Sequence, residues 1–114
     1  MDIKFKCELK NEDYGTVVGT TIHKNKFGWW FEVATDDWEK VKGEPKLYTQ
    51  IKDVNGNEIY DGDHVSIVLI IDNFGLNTEI VKGKVVFLEG KWVVDTGNNA
   101  YELWNEVYAP KLIK

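Results

Sequence analysis

Few side chains in this sequence have the type and spacing that chemistry requires. His23 and His64 are the two histidines, and Cys7 is the single cysteine. A histidine zinc site wants ligands at short spacing, as in H-x-x-x-H, and these two histidines stand far apart. His23 is expected at a hairpin end and His64 at the start of a strand. Asp53-Val54-Asn55-Gly56-Asn57 has the density of oxygen ligands that suits calcium. An EF-hand loop opening at Asp53 needs glycine at its sixth position and a bidentate glutamate at its twelfth. Glu58 and His64 stand there instead. Asp36-Asp37 offers two adjacent carboxylates, which in a solvated turn read as polar surface rather than an acid–base pair. Cys7 alternates with Ile3, Phe5 and Leu9 on an apolar face, where a free thiol is inert. No nucleophile elbow, phosphate loop or dinucleotide fingerprint is present. The expectation is a protein that is not an enzyme and holds no metal or cofactor.

The elements that must position any site are strands. The chain has 114 residues, 43% hydrophobic and 29% charged, with five Trp, five Tyr and five Phe. That length suits one domain over residues 1–114, and the aromatic content suits a packed core. One cysteine rules out an internal disulfide and points to a reducing cytoplasm. The opening Met1-Asp2-Ile3-Lys4-Phe5-Lys6 lacks the apolar stretch of a signal peptide. Ile67 to Ile71, the longest apolar run, is far below the roughly 20 residues that span a bilayer. The net charge is −5 and all 14 basic residues are lysine. Arginine is the preferred bidentate reader of guanine and phosphate, so its absence disfavours a nucleic-acid partner.

The dominant hydrophobic period is two. Ile3 to Leu9 reads as a half-buried strand, Thr16 to His23 as a β-branched second one, and Phe27 to Ala34 as a third. In the third, Phe27, Trp29, Phe31 and Val33 share a face. Asp36 to Val41 reads as one helical turn, stopped by Gly43-Glu44-Pro45. Leu47 to Ile51 is a short strand. Asn55-Gly56 is the strongest hairpin signal, a type I′ turn with positive φ at both positions, and Asp61-Gly62-Asp63 is a second turn. Val65 to Ile71 is apolar on both faces and reads as a central or partner-covered strand. Glu89-Gly90 joins two further strands. A two-residue connection sets Phe87 against Trp92, Val85 against Val94 and Lys84 against Asp95; a three-residue turn shifts that register by one. Tyr101 to Asn105 reads as a helical turn or a strand. The fold class is mostly β, with little helix: a small sandwich or partly open barrel of short antiparallel strands.

Tyr48-Thr49-Gln50-Ile51-Lys52-Asp53-Val54-Asn55-Gly56-Asn57-Glu58-Ile59-Tyr60-Asp61-Gly62-Asp63 resembles the signature of the YopX family, approximately Y-T-G-L-x-D-x-x-G-x-x-I-Y-x-G-D. Tyr48, Thr49, Asp53, Gly56, Ile59, Tyr60, Gly62 and Asp63 match it. Gln50 departs where the family usually has glycine. Ile3-Lys4-Phe5-Lys6 is similar to the family's opening I-K-F-R, and Gly83-Lys84-Val85-Val86-Phe87 to its later G-x-V-x-F. Trp104-Asn105-Glu106-Val107 stands near the usual V-I-G-N and fits poorly. The resemblance implies a small, mostly β protein of phages and prophages, with no catalytic residue or cofactor. In the residues themselves the signature reads as a fold-defining double turn built by Asp53, Asn55, Gly56, Tyr60, Gly62 and Asp63. Gly56 and Gly62 fit positive φ, Asp53 and Asp61 can bond turn amides, and Tyr60 can bury its ring with its hydroxyl bonded.

Surplus apolar surface is the feature that points to function. Trp29 and Trp30 are adjacent on a strand and face opposite ways. Val68 and Ile70 raise the same question beside Ile67, Leu69 and Ile71. The structural answer is that the chain covers both faces itself. The functional answer is an interface through Trp30, Val68 and Ile70. The expected function is therefore a phage- or prophage-encoded protein-interaction module. It pairs with itself as a homo-oligomer and modulates a host bacterial protein, with anti-defence activity as one version. The alternatives are a nucleic-acid-binding small barrel that stacks bases on Trp30 and Tyr60, and an acidic DNA mimic. Convergence of Lys4, Lys6, Lys24 and Lys26 would favour the barrel.

Overall fold

The computed structural model describes residues 3–72, 74–75, 77–103 and 108–113. Strands carry most of them. In chain order these are β1 (Phe5–Glu8), β2 (Thr16–Gly19), β3 (Ile22–Asn25), β4 (Gly28–Ala34), β5 (Asp37–Lys40), β6 (Lys46–Lys52), β7 (Glu58–Tyr60), β8 (His64–Ile70), β9 (Thr78–Leu88), β10 (Lys91–Asp95), β11 (Ala100–Glu102) and β12 (Lys111–Leu112). They form three antiparallel sheets, none of which closes into a barrel. The chain divides into two compact units, Met1–Tyr48 and Thr49–Lys114, with the boundary inside β6. Among the described residues no helix is long and apolar enough to cross a membrane.

In the first unit, β1 pairs with β2 on one side and with the start of β6 on the other. A three-stranded sheet follows in the order β3-β4-β5. Cys7, Leu9, Phe31 and Val41 form the buried core, with Phe5, Val17, Ile22, Trp29 and Val33 packed against it. Two expectations change here. Thr16 to His23 is not one strand: it divides into β2 and β3, which belong to different sheets. β2 ends at Gly19, where a Cβ would come within 2.6 Å of the Phe31 ring. Asp36 to Val41 is not helical. Asp36 takes φ 60°, and its amide donates to Glu32 Oε2 at 3.2 Å. This turns the chain so that Ala34 pairs with Asp37 and β5 lies along β4. Pairing along a strand thus outweighs a helical turn too short to nucleate.

In the second unit, the end of β6 lies beside β7, and a five-stranded sheet runs β11-β10-β9-β8-β12. Its core is Ile59, Val65, Ile67, Val85, Val94 and Leu103. Glu89 and Gly90 take φ 51° and 84°, as a two-residue primed turn requires. Trp92 consequently lies opposite Phe87, Val94 opposite Val85 and Asp95 opposite Lys84. The Phe87 and Trp92 rings meet edge to face at 5.1 Å. The signal expected at Asn55-Gly56 is thus realised at Glu89-Gly90. At the former only Gly56 has positive φ, 83°. Gly56 N donates to Asp53 O at 3.0 Å and Asp53 N to Asn57 O at 2.7 Å, so three residues form the loop. Ala100–Glu102 is a strand; Trp104 to Val107 lie outside the described residues.

Candidate functional site

The double turn of the signature is organised by two carboxylates. Asp53 is 3% exposed. Its Oδ1 accepts from the amides of Asn55 and Asn57, both at 2.9 Å, and its Oδ2 from the Leu112 amide at 3.1 Å and from Asn57 Nδ2 at 3.5 Å. Burial alone pushes this carboxyl up. The hydrogen bonds from Leu112, Asn57 and Asn55 outweigh it and hold the pKa below the usual aspartate value. Val54 N also donates to Pro110 O, at 2.9 Å. The first turn therefore anchors the segment leading into β12.

The second turn uses Asp63, not Asp61 as the sequence suggests. Asp63 Oδ2 accepts from the Tyr60 amide at 2.8 Å. Gly62, at φ 85°, donates to Val85 O at 2.8 Å, and Val85 N returns a bond to Asp63 O. This docks the turn on β9. Tyr60 is buried, and its hydroxyl donates to Glu58 Oε1 at 3.0 Å. Thr49 ties the two arms together: its Oγ1 donates to Ile59 O at 2.8 Å and accepts from Ile51 N at 3.1 Å. Between them Gln50 takes φ 71° inside β6. This is the left-handed conformation that glycine adopts without strain.

The interface candidates fall on different sheets. Trp29 packs on the first unit's core. Trp30 faces the opposite side in a row with His23 and Lys40. Its Nε1 donates to Asn25 Oδ1 at 3.2 Å. His23 and Trp38 meet edge to face at 6.3 Å, and Ile22, His23, Asn25, Trp30 and Trp38 line a cavity of about 450 Å³. Phe27 does not join the core face. It lies in the turn between β3 and β4 and is 69% exposed.

Val68 and Ile70 belong to the second unit. On β8, Val65 and Ile67 point into the core, so Ser66, Val68 and Ile70 point away from it. Val68 pairs directly with Ile80 of β9, and Ile70 with Thr78. Ile70 is 65% and Ile80 67% exposed. Among the described residues β12 pairs with β8 at Val65 and Ser66, short of Val68 and Ile70. A cavity of about 440 Å³ beside this region is lined by Val68, Leu69, Ile70, Ile71, Tyr101 and Tyr108.

Burial pushes the Cys7 thiol up to about 11. Among the described residues no three His, Cys, Asp or Glu side chains converge as metal ligands would. The model of the YopX protein family matches residues 5–111. The chain belongs to the YopX family. The match runs through both compact units of this YopX-family chain and includes the whole double turn. No curated protein and no solved structure matches it.

Sequence reasoning singles out Trp30, Val68 and Ile70 but misses Ile80 and Trp38. Ile80 becomes visible only once β8 and β9 are paired in register. Trp38 is hidden by the helical reading of its segment.

Proposed function

We propose that this YopX-family chain is a non-enzymatic protein-interaction module that self-associates through the outer face of β8 and β9. The observation that carries the reading is the apolar patch of Val68, Ile70 and Ile80, three side chains on one sheet face, two of them largely exposed. Fully burying an isoleucine is worth about 1.5–3 kcal/mol. Covering Ile70 and Ile80 on both copies of a two-fold dimer therefore contributes about 4–8 kcal/mol after allowing for their present partial burial, a gross term that offsets much of the cost of bringing two chains together, with Val68 and the strand rims supplying the rest. The reactive side chains support the non-enzymatic part. Asp53 and Asp63 are committed to turn amides, and Cys7 is buried. The family resemblance and the single reduced cysteine favour a phage or prophage protein working in the bacterial cytoplasm. There a self-assembled surface would engage and modulate a host protein, with anti-defence activity as one version. Light scattering on a gel-filtered sample tests the self-association. A mass twice the 13.2 kDa of the chain is expected. A monomer mass at about 100 μM, well above a micromolar dissociation constant, would refute it.

A further inference from the structure

We propose that the open stretch of the β8 edge takes up an extended segment of a partner protein as an added strand. The inference rests on the reading above and gives its host protein a form in which to bind. Residues along an antiparallel strand direct their backbone N–H and C=O groups alternately to the two neighbours. On β8 the bonds at its ends settle which residues look which way. Ile71 N donates to Asn77 O at 3.1 Å, on the β9 side, and His64 O accepts from Ile113 N at 2.9 Å, on the β12 side. Val65, Ile67 and Leu69 therefore turn their backbone groups to β9, and Ser66, Val68 and Ile70 turn theirs to the β12 edge. Lys111 pairs with Ser66. Beyond it the ladder stops for a physical reason. Pro110 follows in line but has no N–H to give, and its carbonyl accepts from Val54 N at 2.9 Å. Ala109 takes φ 45°, outside the extended range. Among the described residues no strand pairs with the backbone of Val68 and Ile70 on this side.

The cavity of about 440 Å³ lies at that place, lined by Val68, Leu69, Ile70 and Ile71 with Tyr101 and Tyr108. Consecutive strand residues point to opposite faces, so a cavity touching a run of them lies against the edge of the strand rather than on one face. Leu69, Tyr101 and Tyr108 pack toward the core, and the tyrosine rings meet edge to face at 5.9 Å. A residue of the added strand opposite Leu69 shares its face and meets this apolar wall, while its neighbours lie beside Val68 and Ile70 on the outer face. The occupant is thus a peptide main chain with an apolar side chain at its centre. Ladder bonds give such a segment affinity, and alternate side chains give it specificity. No lining residue carries a charge, so the lining offers a phosphate or carboxylate no counter-charge. From Val65 to Ile71 the strand also lacks the lysine or proline that blunts an exposed edge. A second copy of β8 fits poorly. Antiparallel pairing about a two-fold axis at Leu69 would set its Asp72 opposite Ser66, where Lys111 already stands. A short segment of another protein can end before that point. The face-to-face contact proposed above covers the Val68 and Ile70 side chains and leaves the edge open.

The test is amide hydrogen exchange, read residue by residue by NMR on the Ile80→Lys variant. That change opposes the face contact from β9 and leaves the β8 edge intact. The probe is a synthetic peptide of about six residues, the usual strand length, alternating threonine and isoleucine between terminal lysines. In the free chain the Val68 and Ile70 amides should exchange rapidly, while those of Ile67 and Leu69 are protected by β9. Peptide at about ten times its dissociation constant should slow Val68 and Ile70 about tenfold and leave Ile67 and Leu69 unchanged. N-methylation along one edge of the peptide should abolish the slowing, and along the other edge should preserve it, since a single edge faces β8. Equal behaviour of the two methylated peptides overturns the proposal. So does protection of Val68 and Ile70 in the free chain, or no slowing at millimolar peptide. Protection that rises with chain concentration alone assigns the edge to a second copy and overturns the partner segment. Self-association through the face is read separately, from the wild-type mass, so its failure and failure of the edge are told apart.

Discussion

Replacing Asp53 should release the first turn of the signature and the segment it anchors. Its carboxylate accepts three backbone amides, from Asn55, Asn57 and Leu112, while 3% exposed. A hydrogen bond to a charged group contributes about 1.5–3 kcal/mol, and a buried amide left unpaired costs about 1–3 kcal/mol. Asn55 and Asn57 are exposed and can regain water, whereas Leu112 is half-buried. Asp53→Ala should therefore lose about 3 kcal/mol, lowering the melting midpoint by about 10 °C for a domain of this size. Asp53→Asn keeps the shape but turns an NH2 group toward one of the donors, and should lose about 2 kcal/mol. The pH dependence follows from the depressed carboxyl. A group with a lowered folded pKa gives stability that is full above the unfolded value of about 3.9 and lost as pH falls through the lower folded value. Urea unfolding at neutral pH and at about pH 3 should show the gap between wild type and Asp53→Asn narrowing in acid. A variant with the wild-type midpoint at neutral pH, or a gap that widens in acid, would refute this reasoning.

Three further outcomes are expected. Gly56→Val should destabilise by more than the ~1 kcal/mol typical of a point mutation, since a β-branched residue at φ 83° is strongly disfavoured; thermal melts measure it. Gln50→Gly should leave stability unchanged or raise it by up to about 1 kcal/mol, because relief of about 1–2 kcal/mol of left-handed strain offsets the extra freedom of glycine in the unfolded chain, whereas Gln50→Val should lower it in urea titrations. Cys7, buried with its thiol pushed up to about 11, should resist maleimide in the native protein at neutral pH and react at once in denaturant, read by mass spectrometry.

Period-two alternation makes β1 and β4 legible in the sequence, a short unbroken apolar run makes β8 legible, and matched apolar pairs make the β9–β10 register legible. What escapes has physical causes. A β-branched run such as Thr16 to His23 looks continuous, and sequence does not show the Phe31 ring that excludes a side chain at Gly19, the residue at which β2 ends. The Asn55-Gly56 pair suits a primed turn in isolation, but the Asp53 carboxylate gathers the amides of Asn55 and Asn57 and holds a three-residue loop. Asp61 and Asp63 flank the same glycine, and sequence cannot say which reaches the Tyr60 amide. The opposite orientation of Trp29 and Trp30 is readable. The companions of Trp30, Val68 and Ile70 on their own faces, Trp38 and Ile80, depend on pairings between segments that sequence periodicity does not link.

Sedimentation velocity on the wild type and an Ile70→Lys/Ile80→Lys variant tests the self-association most directly. Both side chains are largely exposed in the single chain, so the variant should keep its melting midpoint once its own oligomeric state is allowed for. The wild type should sediment as a dimer at micromolar concentration and the variant as a monomer, because four lysines would then meet across the two-fold interface. A wild type that stays monomeric, or a variant that dimerises as tightly as the wild type, would contradict an interface on the outer face of β8 and β9.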